Sequence, residues 1–259
     1  MSGVPKIIHA IWYQGSDAIP EKYLVNLRKF RMLNPGWEIR VWDNASLRAE
    51  CSWIGPEYLK AYDSFKIMHQ RIDFGRYVVL SRYGGISVDM DVVALRPFDE
   101  LDFLADLRVL AVSRSVPVGR FSAFKYQNAV LVTPPGDPMT RWIVDQTAST
   151  AKTNSRLLGY LPDSMQVMLT TGPWSFSRII EKGPAGGVLA LDHTVFEPCL
   201  GYDTKCKAPK SAFLFHQHDG TWHGLGKAIT ILYDVGPDRI FVALVSVVVV
   251  AMMVGRLRK

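Results

Sequence analysis

The chain has only three cysteines, Cys51, Cys199 and Cys206. So sparse and odd a set excludes a small domain stapled by many disulfides, although a single Cys199–Cys206 bridge stays open. No C-x-x-C spacing occurs, which argues against structural zinc. No internal repeat or low-complexity stretch is visible, and no nucleic-acid motif accompanies the basic residues. The opening residues, MSGVPKIIHAIW, hold no long apolar run and read into a strand, not a secretory leader. What remains is a chain of 259 residues, 48% hydrophobic, suited to one sizeable α/β domain with or without a short appendage. A net charge of +6 fits an anionic partner, such as a phosphorylated donor or a membrane surface.

Hydrophobic periodicity predicts a buried strand over 4–12, a helix over 20–33 and a strand over 37–42 that ends at Asp43. An amphipathic helix follows over 64–82, closed by Tyr83-Gly84-Gly85, then a short strand over 86–89. Strands over 108–113 and 128–133 and a helix over about 139–151 complete the regular part. This alternation predicts an open, mostly parallel sheet covered by helices. Ligands of such sheets lie beyond the carboxyl ends of the strands, which groups Trp12, Asp43 and the segment Asp89–Asp91.

One long apolar run stands at the end. Ile240–Val254 carries no charged residue and is closed by Gly255-Arg256-Leu257-Arg258-Lys259. As a helix it covers roughly 23 Å, short of the ~30 Å hydrocarbon core unless the membrane is thin or the arginines snorkel. A membrane anchor over 238–256 is favoured over a buried last strand or helix, with residues 1–235 as the globular domain. The basic end favours a cytoplasmic C-terminus. The absent leader and unbridged cysteines favour an enzyme facing the cytosol instead, so sidedness stays open.

Two segments carry chemistry. In Gly84-Gly85-Ile86-Ser87-Val88-Asp89-Met90-Asp91, two carboxylates one residue apart follow a glycine turn and an apolar strand. A strand end would place Asp89 and Asp91 on one side, where hard cations such as Mg²⁺ or Mn²⁺ bridge carboxylates to phosphates. A solvated surface turn is the plain alternative. In Arg71-Ile72-Asp73-Phe74-Gly75-Arg76-Tyr77, helical spacing aligns His69, Asp73 and Arg76 as a polar stripe beside an apolar stripe of Met68, Ile72, Gly75 and Val79. Asp73 could accept from sugar hydroxyls and Arg76 donate to hydroxyls or phosphate. An exposed i, i+3 salt bridge is the alternative.

These segments, with Ile7-Ile8-His9-Ala10-Ile11-Trp12 and Trp37-Glu38-Ile39-Arg40-Val41-Trp42-Asp43, together resemble glycosyltransferase family 32. That family shares its D-x-D region with the clostridial toxin glucosyltransferases. It includes Golgi α-mannosyltransferases, inositol-phosphoceramide mannosyltransferases and bacterial capsule enzymes. The resemblance implies a GT-A-like (Rossmann-like) fold, a nucleotide-sugar donor, Mn²⁺ or Mg²⁺, and retention of anomeric configuration. It implies that Asp89 and Asp91 are the D-x-D pair and that Asp73 and Arg76 clamp the donor sugar. Asp73, Arg76 and Asp91 become the catalytic set. Trp12 becomes a stacking surface for the base, with core packing as its alternative. Gly84, Gly85 and Trp222 join the donor site. Asn128-Ala129-Val130-Leu131-Val132 resembles a further family strand, and Thr171-Gly172-Pro173 a turn that shapes the acceptor side. In His216-Gln217-His218-Asp219-Gly220-Thr221-Trp222, His216 is the implied third metal ligand and His218 its backup. Ser87 departs from the family, which usually has a bulky residue there.

The function implied is transfer of a hexose, mannose favoured, from GDP-mannose or a UDP-hexose to a glycan or glycolipid. The location implied is Golgi/ER-type or a host endomembrane. Two other classes compete: a non-catalytic, membrane-anchored nucleotide-sugar or glycan binder, and a metal-dependent phosphohydrolase. Intact Asp73, Arg76, Asp89 and Asp91 weigh against the first. The lack of a visible Asp/His cluster for two metals weighs against the second.

Overall fold

The computed structural model describes residues 3–117, 124–153, 161–200, 203 and 205–219. Its centre is a six-stranded sheet made of β1 (Ile7–Ile11), β2 (Glu38–Trp42), β3 (Gly85–Val88), β5 (Leu110–Arg114), β6 (Tyr126–Thr133) and β7 (Val188–Leu191). The spatial order is β2-β1-β3-β6-β5-β7. β1 runs parallel to β2 and β3, and β5 parallel to β7. β6 runs antiparallel to both neighbours, β3 and β5. The sheet is therefore mixed, with parallel pairs in the majority. The reversal has a simple cause: β5 and β6 are consecutive and pair without a crossover helix, which only antiparallel strands can do.

Side chains alternate across the sheet with period two. Ile8, Ala10, Ile86, Val88, Val130 and Val132 enter one core, which is covered by α1 (Glu21–Leu33) and by Phe98, Leu101 and Leu104. Leu110, Val112 and Leu131 enter the other, beneath α4 (Met68–Tyr83), α5 (Pro138–Thr153) and α7 (Pro173–Glu181). α4 differs from its sequence reading. It is buried on all sides from Asp73 to Leu80, because the sheet lies on one side and α2 (Asn44–Ile54) and α5 on the other. Gly75 permits this closeness: a Cβ there would stand 2.9 Å from the Leu47 side chain.

Two helices occupy a segment the periodicity left unassigned. Asp43 starts α2 by accepting from Ser46 N–H at 2.7 Å, with the Ser46 hydroxyl returning the bond. That capping box gives the Asp43 carboxylate a structural part at the start of α2. Gly55 then ends α2, and Pro56 opens α3 (Pro56–Ser64).

The glycine pair and His9 form one structural joint. Gly84, at φ +63°, caps α4, and a Cβ there would stand 2.5 Å from the Pro135 nitrogen. Gly85, at φ +100°, would clash with the Ile7 carbonyl at 2.6 Å. His9 donates from Nε2 to the Gly84 carbonyl (2.8 Å) and accepts from Trp42 Nε1 at Nδ1 (3.0 Å). A carbonyl only accepts and an indole N–H only donates, so both ring nitrogens are assigned. Burial lowers the His9 pKa to about 4, and the ring stays neutral.

Among the described residues no helix is long and apolar enough to cross a membrane. The predicted anchor over 238–256 lies outside them, as does Trp222.

Candidate active site

β3 stops at Val88, and Asp89 N–H donates to the Ala129 carbonyl at 3.0 Å. The chain then turns: Val92 N–H bonds the Asp89 carbonyl at 3.0 Å, and β4 (Val92–Ala94) leaves in a new direction. Asp89 and Asp91 thus share a site through a turn, not through the two-residue alternation of a strand. Asn26 of α1 holds that turn by donating to the Met90 carbonyl at 2.8 Å. β4 pairs antiparallel with β8 (Leu214–His216), and Val92 stands opposite His216. This ribbon carries the imidazole to the carboxylates from more than a hundred residues away.

One ligand atom from each of Asp89, Asp91 and His216 lies within 4.8 Å of the others. His216 Nε2 is 3.2 Å from Asp91 Oδ1, and Asp219 N–H donates to Asp91 Oδ2 at 3.0 Å. Burial alone would raise the Asp91 pKa, but His216 and the Asp219 amide hold it below the ordinary carboxylate range. Burial pushes the Asp89 carboxyl up, against the pull of Arg76. Two carboxylates and an imidazole, partly open to solvent, suit Mg²⁺ or Mn²⁺ in their chemistry and spacing. A second set, Glu197, His216 and His218, overlaps the first through His216. Of the residues in these two sets, Glu197 is the one that the sequence does not single out. His218 stacks on His216 with its Nε2 donating to the Cys199 carbonyl at 3.0 Å, and burial followed by the charge of His216 lowers its pKa to about 3.

Behind the carboxylates lies the α4 polar cluster. Arg76, its side chain 4% exposed, donates to Asp89 and to the Asn128 carbonyl. Asp73 accepts from the Asn128 amide at 3.2 Å and from the Thr171 hydroxyl at 3.0 Å. Tyr77 donates to the Thr171 carbonyl at 2.8 Å and accepts from Asn128 at 3.0 Å. Asp73 and Arg76 are therefore buried network members and not an exposed salt bridge. His69 lines a cleft with Lys66, Met68, Asp163 and Ser164 at the start of α4. Asn128 and Thr171 serve the site directly, although the sequence marked them only as parts of a strand and a turn.

Trp12 is half-buried, its ring 5.3 Å from that of Tyr23, and its indole N–H has no partner among the described residues. Burial, then a hydrogen bond with Asp219, holds the Tyr23 phenol above its ordinary range, so Trp12 connects through Tyr23 to the carboxylate turn. Gly84 and Gly85 stand at the opposite end of β3 from Asp89, where their part is in the backbone. Ser87, 1% exposed, is enclosed in the sheet.

Residues 20–106 match the family described as "Glycosyltransferase sugar-binding region containing DXD motif". The chain is a DXD-type glycosyltransferase. It is 28% identical to an uncharacterized glycosyltransferase of Acanthamoeba polyphaga mimivirus over 89% of this chain and 88% of that one. It is 31% identical to inositol phosphoceramide mannosyltransferase 2 of Schizosaccharomyces pombe over 69% of this chain, but the match spans only 47% of the yeast protein. Among solved structures, the PaToxG glycosyltransferase superposes with a TM-score of 0.55 at 16% identity, covering 70% of each chain. The fold of this glycosyltransferase is thus the GT-A-like fold that the sequence implied.

One titration is separable from the chemistry. Burial raises the Asp73 pKa from 3.8 to about 6, against the opposing pull of Arg76, Thr171 and Asn128. The folded state then keeps a proton that the unfolded chain releases near pH 4, so this group's contribution falls as pH rises from about 4 to 6. Asp73→Asn removes that fall. In urea melts at pH 4.5 and pH 7, the variant gains on the wild type by on the order of 2 kcal/mol between the two pH values. An identical pH dependence in both proteins rules the shift out.

Proposed function

We propose that this glycosyltransferase moves a hexose, mannose favoured, from a nucleotide-diphosphate sugar to a glycan or glycolipid, with retention of configuration and a divalent cation. One observation carries the reading: Asp89, Asp91 and His216 converge, with Asp73 and Arg76 directly behind them. Asp89, Asp91 and His216 would hold Mn²⁺ or Mg²⁺, which when bound supplies positive charge against the departing diphosphate. Arg76 orients Asp89 from below. Asp73, locked by Asn128 and Thr171, has lone pairs left for sugar hydroxyls. Trp12 offers an aromatic face to the base and an unpaired N–H.

The preference for mannose rests on relatives named as inositol phosphoceramide mannosyltransferases, and GDP-mannose is the donor to try before UDP-hexoses. Those names, with the apolar run Ile240–Val254, support a glycolipid acceptor at a Golgi/ER-type or host endomembrane. Cys199 and Cys206 form a disulfide, which removes the argument for a cytosolic enzyme drawn from unbridged cysteines.

A screen of nucleotide sugars without acceptor tests the reading. One donor, GDP-mannose first, is hydrolysed slowly with Mn²⁺ present, and EDTA stops the reaction. A protein that only binds donors leaves every one intact, and that result would end the transferase proposal.

A further inference from the structure

His216 reaches the carboxylate turn from one side only, and what stands behind its ring decides which nitrogen is offered to the site. Glu197 stands there. It follows α8 (His193–Phe196), has no solvent exposure, and lies with Oε2 3.0 Å from His216 Nδ1. The other nitrogen, Nε2, points at Asp91. The Glu197 backbone is tied down as well: its N–H donates to the His193 carbonyl at 2.9 Å, and Phe213 N–H donates to Val195 next door at 2.8 Å. Two residues on, the Cys199–Cys206 disulfide fixes the Cys199 carbonyl that holds His218, whose ring stacks on His216 at 3.9 Å.

The chemistry of Glu197 is unusual for a packing residue. Its second oxygen, Oε1, is buried with no partner among the described residues. An unsatisfied, fully buried carboxylate oxygen is costly, and an apolar side chain of similar volume would fill the space with less penalty. The carboxylate makes physical sense when it acts through its neighbour. A carboxylate behind a ligating imidazole fixes its tautomer and ring orientation and raises its basicity.

We infer that Glu197 is a positioning residue for the cation site: it takes the Nδ1 proton of His216 in a hydrogen bond and leaves Nε2 free to ligate beside Asp89 and Asp91. This inference rests on the cation reading of the site and adds to it a residue that touches neither donor nor metal. The overlapping set of Glu197, His216 and His218 is then not a second metal position, since Glu197 and the cation use opposite nitrogens of one ring.

The test is Mn²⁺ binding, followed by the electron paramagnetic resonance signal of free Mn²⁺, on the full chain without donor. Glu197→Gln keeps the shape and an acceptor oxygen but removes the charge. Glu197→Ala removes both. Loss of such partners typically costs 10- to 100-fold in metal affinity, so the Gln variant is expected near the lower figure and the Ala variant near the upper. In ¹⁵N-histidine spectra of the Mg²⁺-loaded protein, His216 carries its proton on Nδ1 in the wild type, and Glu197→Ala loses that single-tautomer signature. A role in packing alone would not shift the tautomer. Wild-type Mn²⁺ affinity in Glu197→Gln overturns the inference, whatever Glu197→Ala does to folding. Asp91→Ala separates the two ideas: if it leaves Mn²⁺ binding intact, the cation reading itself fails.

Discussion

Asp91→Ala is expected to lower kcat/KM by about 10³-fold or more while the protein remains folded. The side chain is 18% exposed, so its removal opens no deep cavity. What it does remove is the anchor of the whole cluster. Asp91 Oδ1 faces His216, Oδ2 accepts the Asp219 amide, and the charge sits among the other candidate ligands. Losing one preorganised electrostatic group of an active site commonly costs 10²–10³ in turnover, and here His216 and the 216–219 segment lose their partner at the same stroke. The fold has independent support. The backbone carbonyl of Asp91 still accepts from Gln217 N–H at 2.9 Å, and the Val92–His216 ladder is untouched. The folded-state pKa of Asp91 is depressed, so its contribution to stability is present above the ordinary carboxylate range and is lost only as pH falls well below it. A modest loss of melting temperature at pH 7 is therefore expected beside the large loss of activity. Asp91→Asn keeps the shape and separates charge from volume. Turnover retained in either variant at saturating Mn²⁺ would remove Asp91 from the site.

Much of this arrangement is legible in the residues, and the gaps have physical reasons. The strands with strong apolar runs, β1, β3 and β6, and helices α1 and α5 stand within a few residues of their expected places, because local periodicity alone specifies them. Helices α2 and α3 are not legible in periodicity, because a capping box and a Gly-Pro boundary set their limits. The direction of β6 is not legible in the residues, because pairing direction is a tertiary property. Asp89, Asp91, Asp73 and Arg76 could be singled out because they cluster within 19 residues of chain. The reason they act together could not: Asp89 and Asp91 meet on a turn, and Asp73 is secured by Asn128 and Thr171, 55 and 98 residues away. Glu197 had no local signal at all. A lone Glu after a short helix looks like surface, and only the fold puts it behind His216.

Arg76→Met should be the variant with the largest effect on stability. The guanidinium is buried with two carboxylates, and its terminal nitrogens reach Asp89 and the Asn128 carbonyl. Methionine matches the length and apolar stem but leaves Asp73 and Asp89 facing one another without a cation. Breaking a buried ion pair by removing one partner costs about 3–5 kcal/mol, which at roughly 2–4 °C per kcal/mol for a domain of this size lowers Tm by about 6–20 °C. Arg76→Lys should recover only part of this, because one ammonium cannot serve both acceptors with the fixed fork of a guanidinium. The pH dependence identifies the cause. Arg76 holds the Asp73 pKa down, so its loss raises the folded-state value above about 6. The folded variant then holds a proton that the unfolded chain has released, and its deficit grows from pH 5 to pH 7. A double variant, Arg76→Met with Asp89→Asn, removes one of the stranded charges. It should regain stability at pH 7 while transfer stays lost, since Asp89 belongs to the candidate cation site. A deficit for Arg76→Met that is constant across pH, with no recovery in the double variant, would show that the loss is one of packing and that the buried charges are not coupled.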